Sequence, residues 1–186
     1  LTIRNVSPGR AVRLGLLAGM VHYVSLLYWI TIVLGRYGNL PLWVSLPALL
    51  LLALYMSSYL ALFCLLFSRV WLRKEVLVVW IGPFLWVGLD FIRSFLFSGF
   101  PWQDLAYSQY KALLLIQTAD LAGHFGVTFH IVLVNCVTAL LFVLWRDNRA
   151  VAQSSLSVLM TLRIRKAWFQ AVLPALCIML TVMAYN

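Results

Sequence analysis

Long stretches without any charged residue constrain this chain most. No Asp, Glu, Lys or Arg lies between Arg13 and Arg36 or between Arg36 and Arg69, which leaves uncharged runs of 22 and 32 residues. A helix rises about 1.5 Å per residue, so about 20 apolar residues cross a bilayer core of about 30 Å. Only 10% of the 186 residues are charged, which is too few to cover a water-facing surface. The sequence therefore predicts an all-α membrane protein and excludes a soluble globular domain.

The hydrophobic pattern predicts a polytopic membrane helix bundle with five spans and one short interfacial helix. The predicted spans cover residues 14–35, 45–67, 76–97, 127–145 and 167–185, and the interfacial helix covers 112–122. Pro41 and Pro47 predict an interfacial entry before the second span, and Pro174 predicts a kink in the fifth. The sequence contains no internal repeat, which disfavours a transporter built from two inverted halves.

The positions of the basic residues predict the orientation of the bundle. Eleven of the 14 Lys and Arg residues precede the first span or lie in the loops after the second and fourth spans. Arg36 and Lys111 lie on the other side, and Arg93 lies within the third span. Because cytoplasmic loops carry the excess of Lys and Arg, we expect a cytoplasmic N-terminal end and a C-terminal end on the outer side, which is the periplasm if the membrane is the inner membrane of a diderm bacterium. The same pattern explains the net charge of +9, so we expect no nucleic-acid partner.

The densest polar cluster begins near the end of the third predicted span. Asp90 and Arg93 are three residues apart on one helical face, so they are predicted to form a structural ion pair. An unpaired charge at that depth would cost several kcal/mol. In a second interpretation, Arg93 also binds a lipid phosphate, because its guanidinium suits bidentate contacts with phosphate oxygens.

An aromatic loop follows this cluster. Gly99 permits a turn and Pro101 favours extended backbone before it, so the helix is predicted to end here. Phe100 and Trp102 are then placed at headgroup depth, where aromatic rings suit an interface between oil and water. They are interfacial anchors, or they form with Tyr107 and Gln109 an entry for a lipid chain or a docking surface for an extramembrane domain. The residues alone leave these alternatives open.

The other reactive residue types predict no catalytic or metal site. The three cysteines lie in apolar runs without CxxC spacing, which predicts inert thiols at Cys64, Cys136 and Cys177. The three histidines are predicted to be packed or interface residues, and they are His22, His124 and His130. We therefore expect no metal and no cofactor.

The sequence leaves more than one role for a carboxylate in the segment before the fourth span. Asp120 is predicted to pair with Lys111 or His124, and a carboxylate at membrane depth is also a functional candidate.

Several short motifs occur together in one known family. The most specific are DFIR at 90–93, GFPW at 99–102 and YSQ at 107–109, preceded by SPGRA at 7–11 and GNLP at 38–41. With these motifs, residues 7–136 resemble the membrane bundle of bacterial apolipoprotein N-acyltransferases. Asp90 departs from the family pattern, which usually has Glu there, and His124 and His130 stand where other residues are usual.

The resemblance implies the last step of lipoprotein maturation. Such enzymes take an acyl chain from a membrane phospholipid, hold it as a thioester, and pass it to the N-terminal diacylglyceryl-cysteine of a lipoprotein. The resemblance places this chemistry in a periplasmic nitrilase-like domain with a Glu, Lys and Cys triad. We expect the 186 residues to be a piece of a longer protein. This piece is expected to lack the nitrilase-like domain and to be inactive alone. The predicted lipid- and substrate-binding residues are Phe100, Trp102, Tyr107, Gln109 and Arg93.

Two alternatives to an acyltransferase remain at this point. The first is a non-enzymatic membrane subunit that binds only a partner or a lipid. The second is a small transporter or channel, which requires polar residues along several helices. Only the third span and the segment before the fourth show polar groups at depth, which disfavours the transporter.

Overall fold

A computed structural model describes residues 6–73, 75–100, 102–151 and 164–184. Within these ranges the regular structure is helical throughout, and no strand is present. This confirms the all-α fold class. Contacts within the chain divide it, the first residue aside, into two compact units, Thr2–Leu72 and Arg73–Asn186.

Among the described residues, three helices are long and apolar enough to cross a membrane. They are Pro8–Leu27, Leu42–Trp71 and Ala119–Asp147, and they contain most of the first, second and fourth predicted spans. The helix of the third predicted span has 16 residues, or about 24 Å, which is less than the apolar thickness of a bilayer. The fifth predicted span is described only to Ala184, in two helical segments, and Tyr185 lies outside the described residues. Five spans therefore remain a prediction.

The described helices of the first unit are α1 (Pro8–Leu27), α2 (Trp29–Arg36) and α3 (Leu42–Arg73). Arg73, the last residue of α3, is grouped with the second unit. Pro8 occupies the first turn of α1, where no backbone N–H is needed. The expected interfacial entry before the second span is not a separate segment, because α3 already begins at Leu42 and includes Pro47. A proline so near the start of a helix removes only one backbone hydrogen bond, which the long apolar helix tolerates.

Helices α1 and α3 pack through small residues. The buried residues of α1 repeat every four positions, which places them in one stripe: Ala11, Gly15, Gly19, Tyr23 and Leu27. A Cβ added at Gly15 would lie 2.6 Å from the Cα of Ala61, and one at Gly19 would lie 2.8 Å from the Cβ of Ser57. The two backbones therefore approach as closely as small residues allow, as is common between membrane helices.

The described part of the second unit includes four α-helices that are given bounds here, together with shorter turns. We name them α4 (Val78–Arg93), α5 (Leu113–Ile116), α6 (Ala119–Val151) and α7 (Leu173–Ala184). The turns are 3-10 helices at Glu75–Leu77, Leu96–Ser98 and Leu105–Gln109 and a π-helical turn at Trp168–Val172.

Two predicted boundaries in this unit need correction. Helix α4 ends at Arg93 rather than at Phe97, because Phe97 adopts left-handed backbone angles (φ 51, ψ 45) that cannot continue a right-handed helix. The interfacial helix expected over 112–122 is divided between α5 and the first turn of α6. Helix α6 itself is distorted at Ala122 and Gly123, where Gly123 has φ 59 and ψ −161.

The core of the second unit lies between α4, α6 and the C-terminal helical segments. Its buried residues are Val79, Leu133, Leu140, Leu144, Ala167, Ala171 and Ala175. Pro174 has no N–H to donate to the carbonyl of Gln170 four residues earlier, and the indole N–H of Trp80 donates to that carbonyl at 3.2 Å. The proline expected to kink this segment thus follows a π-helical turn and is compensated by a side chain of α4.

Candidate functional site

The segment after α4, residues 94–112, is called the elbow here, and all of it except Pro101 is described. Three residues turn the backbone with positive φ, namely Phe97 (φ 51), Gly99 (φ 74) and Gln103 (φ 71). Gly99 combines this φ with ψ 144, a conformation that is nearly exclusive to glycine. A Cβ at Gly99 would also overlap the carbonyl oxygen of Ser94. The glycine in GFPW therefore permits the elbow to fold back directly after the helix.

A buried ion cluster joins the elbow to α4. The Arg93 side chain is only 4% exposed, and its Nη2 lies 3.1 Å from Oδ1 of Asp90 in the same helical turn. The same Nη2 donates to Oδ1 of Asp104, which is also buried. Two carboxylates thus surround one guanidinium, and hydrogen bonds to charged groups are stronger than neutral ones. The geometry makes Arg93 a residue that positions the elbow.

Asp104 extends the cluster to α6. Its second oxygen, Oδ2, lies 3.3 Å from Nε2 of His124, whose ring stacks on Tyr107 with 6.0 Å between centroids. Burial raises the pKa of the Asp104 carboxyl above its ordinary value, while Arg93 and His124 oppose the rise. One carboxylate therefore connects the end of α4, the elbow and the start of α6.

Sequence reasoning did not find Asp104, and it predicted for His124 a packing or interface role or a pairing with Asp120. The usable signal was Arg93, an arginine in an apolar helix that needs acidic partners, followed by a single acid in the aromatic loop. Asp120, expected to pair with Lys111 or His124, is exposed and forms no ion pair with another described residue. His22 lies exposed on α1 in the first unit.

The predicted binding residues occupy different parts of the elbow. Phe100 is half-buried, whereas Trp102 and Tyr107 are 57% and 54% exposed. Gln109 borders a depression of about 240 Å³ between the elbow, α5 and α6. The structure thus places Tyr107 beside the ion cluster, Gln109 in a concave site and Trp102 at the surface.

Further aromatic side chains give the elbow an apolar surface. Phe95, Phe97 and Tyr110 are 69%, 83% and 68% exposed. The ring of Phe91 on α4 contacts Phe95 edge to face at 4.9 Å. A soluble protein rarely displays so many large apolar side chains together, which indicates a surface covered by lipid or by another protein segment.

Within the described ranges, no three His, Cys, Asp or Glu side chains lie close enough to hold a metal ion.

The helices that are long enough to span a bilayer and the exposed apolar surface define an α-helical membrane protein. Comparison with known proteins assigns the family. The sequence model of one protein family, described as the apolipoprotein N-acyltransferase N-terminal domain, matches residues 1–137. The chain belongs to the apolipoprotein N-acyltransferase family.

Individual relatives agree with this assignment. The chain is 45% identical over 130 residues to the apolipoprotein N-acyltransferase of Geobacter metallireducens, covering 70% of this chain and 25% of that protein. It is 30% identical over 151 residues to the enzyme of the same name from Nitrosomonas europaea, covering 78% of this chain and 29% of that protein. The chain thus spans about a quarter of the length of these curated relatives.

Proposed function

We propose that the chain is the membrane part of an apolipoprotein N-acyltransferase. The complete enzyme would transfer an acyl chain from a membrane phospholipid to the N-terminal diacylglyceryl-cysteine of lipoproteins. The observation that carries this proposal is the family match over residues 1–137, which includes the entire elbow and its ion cluster. We assign the chemistry to a nitrilase-like domain outside these 186 residues.

The elbow is proposed to hold the acyl chains of phospholipid and lipoprotein near that domain. Phe100, Trp102, Tyr107 and Gln109 would contact lipid, because they lie on or beside the exposed aromatic surface. Arg93 with its two carboxylates would fix the backbone that carries these side chains. A fixed binding surface favours transfer because it converts a search through the bilayer into a positioned encounter.

The proposed setting is a bacterial inner membrane crossed five times, with the elbow on the periplasmic side. The distribution of Lys and Arg supports this orientation. Helix α4 would still cross, since its 16 residues supply about 24 Å and the preceding Glu75–Leu77 turn adds about 2 Å per residue.

A pair of tryptophan substitutions tests the role of the elbow. Trp102→Ala should reduce lipoprotein N-acylation per amount of folded protein by about tenfold, the effect of losing about 1.4 kcal/mol of lipid contact. The matched control is Trp43→Ala at the start of α3, which removes a side chain that is 77% exposed in the first unit. The complete protein would be produced in cells depleted of their own enzyme, with N-acylation followed by mass spectrometry.

Acylation that falls only in proportion to the amount of folded Trp102→Ala protein would show that Trp102 is an interfacial anchor. Equal losses per folded protein for both variants would contradict a specific role of the elbow.

A further inference from the structure

The buried ion cluster of Asp90, Arg93 and Asp104 has an excess of negative charge when both carboxyl groups are ionised. Nη2 of Arg93 faces Oδ1 of each carboxylate. The three side chains are only 11%, 4% and 4% exposed, in the order named above. Water therefore compensates little of the excess, and a buried charge without compensation is unfavourable. The cluster thus favours one further positive charge.

A further basic side chain reaches the cluster from the start of α6. Nε2 of His124 lies 3.3 Å from Oδ2 of Asp104, the carboxyl oxygen other than the one that is bonded to Arg93. Within the described ranges, no other Lys, Arg or His forms an ion pair with Asp90 or Asp104. The His124 side chain is 37% exposed, so a proton can exchange between this pair and water.

The surroundings of the His124 ring favour a proton there. From the elbow, Asp104 and Tyr107 face the ring, and the Tyr107 ring stacks on it with 6.0 Å between centroids and 20° between planes. The face of an aromatic ring attracts a positive charge at about this distance. From α4, Asp90 and Arg93 act on the ring through Asp104. Burial also raises the pKa of the Asp104 carboxyl, which favours a proton at the same pair.

We propose that Asp104 and His124 together hold one exchangeable proton, which balances the charge of the ion cluster and stabilises the elbow. The proton lies between Oδ2 and Nε2. On Nε2, an imidazolium donates to a carboxylate, and on Oδ2, a carboxylic acid donates to a neutral ring. The cluster is balanced in both arrangements. When the proton leaves to water at higher pH, the excess negative charge returns and the elbow opens more often. This device does not depend on acyl transfer.

Hydrogen exchange of the elbow amides at two pH values tests the proposal. The complete protein in detergent would be compared at about pH 5 and about pH 9, which enclose the range in which imidazole ordinarily changes charge. After correction for the intrinsic exchange rate, amides of the Leu105–Gln109 turn should exchange about threefold faster at the higher pH. The change is small because His124 is partly exposed, and ion pairs of this kind contribute at most about fivefold.

Two substitutions of His124 separate its charge from its packing. His124→Gln keeps a polar side chain that cannot be protonated, so its elbow amides should exchange at both pH values at about the rate that the parent shows at the higher pH. His124→Lys supplies a positive charge at both pH values. Its elbow amides should therefore exchange at both at about the slower rate of the parent.

Asp90→Asn tests the charge balance without altering His124. It removes the excess negative charge and keeps an oxygen acceptor for Arg93, so the proton is no longer needed for balance. The two pH values should then give exchange rates within about 1.5-fold of each other. The matched control is Asp120→Asn, which removes the exposed carboxylate one turn before His124 on α6. This variant should keep the threefold change of the parent.

Equal exchange at both pH values in the parent would overturn the proposal. So would the parent's pH dependence in folded, monodisperse His124→Gln protein. The same dependence in Asp90→Asn would overturn it even if neither His124 variant folds. The expected pH dependence in a protein without N-acylation would instead contradict only the proposed function.

Discussion

Removal of the Asp104 carboxylate tests how the elbow is held. In Asp104→Ala, Arg93 loses one hydrogen bond to a charged group, worth roughly 1.5–3 kcal/mol. Asp90 remains 3.1 Å from Arg93, so the full cost of an orphaned buried charge, about 3–5 kcal/mol, does not arise. The His124 side chain is 37% exposed, and its contact adds little. The expected loss is therefore about 2 kcal/mol, or a roughly thirtyfold increase in local opening.

Hydrogen exchange followed by mass spectrometry measures this opening. Amides of the Leu105–Gln109 turn, including the Tyr107 N–H that donates to the Asp104 carbonyl, should exchange about thirtyfold faster in Asp104→Ala. Asp104→Asn keeps an oxygen acceptor for Arg93 and should accelerate exchange by less than about fivefold.

Asp120→Ala is the matched control, because this carboxylate is exposed. Acceleration below about threefold in Asp104→Ala, or an equal effect of Asp120→Ala, would refute the assigned role of the cluster.

Three further predictions follow from the backbone and the charges. Gly99→Ala should cost roughly 1–3 kcal/mol and speed elbow exchange, because φ 74 with ψ 144 strains any other residue; exchange at the parent rate would contradict this. Gly15→Ala should destabilise the first unit by roughly 1–3 kcal/mol in thermal unfolding, because its Cβ would meet Ala61. Gly88→Ala, with no atom within 4 Å, should lie within about 0.5 kcal/mol of the parent, and equal effects would refute the packing argument. Because burial raises the pKa of Asp104, the pH-dependent part of its contribution is present below the unfolded pKa near 3.8 and is lost as pH rises through the folded pKa, while the hydrogen bond from Arg93 remains. The protection of the elbow amides against hydrogen exchange, corrected for the intrinsic exchange rate, should therefore decrease as pH rises over that range. The same pH dependence in Asp104→Asn would contradict the assignment of this effect to the Asp104 carboxyl.

Local spacing and charge patterns predicted the parts of the fold that depend on neighbouring residues. The uncharged runs predicted the helices of the first unit, and the three-residue spacing placed Asp90 beside Arg93. Pro47 led to the prediction of an interfacial segment before the second span, but the structure includes Pro47 in α3. One missing backbone hydrogen bond near the start of a helix is tolerated.

Contacts between distant residues could not be predicted in the same way. Asp104 reaches Arg93 because the backbone reverses at Phe97 and Gln103, which are both non-glycine residues with positive φ. Such conformations are uncommon and have no reliable sequence signal. The pairing of Asp104 with His124 depends in turn on this reversal.

Labelling in intact cells tests the central claim, an elbow that faces the periplasm, most directly. A membrane-impermeant maleimide would be applied to Ser108→Cys in the elbow and Lys166→Cys beside the last helical segment, both at exposed positions, with the parent protein as background for the native cysteines. A periplasmic elbow requires labelling of Ser108→Cys in intact cells and of Lys166→Cys only after permeabilisation. Labelling of Lys166→Cys alone in intact cells would place the elbow on the cytoplasmic side and contradict the proposed orientation.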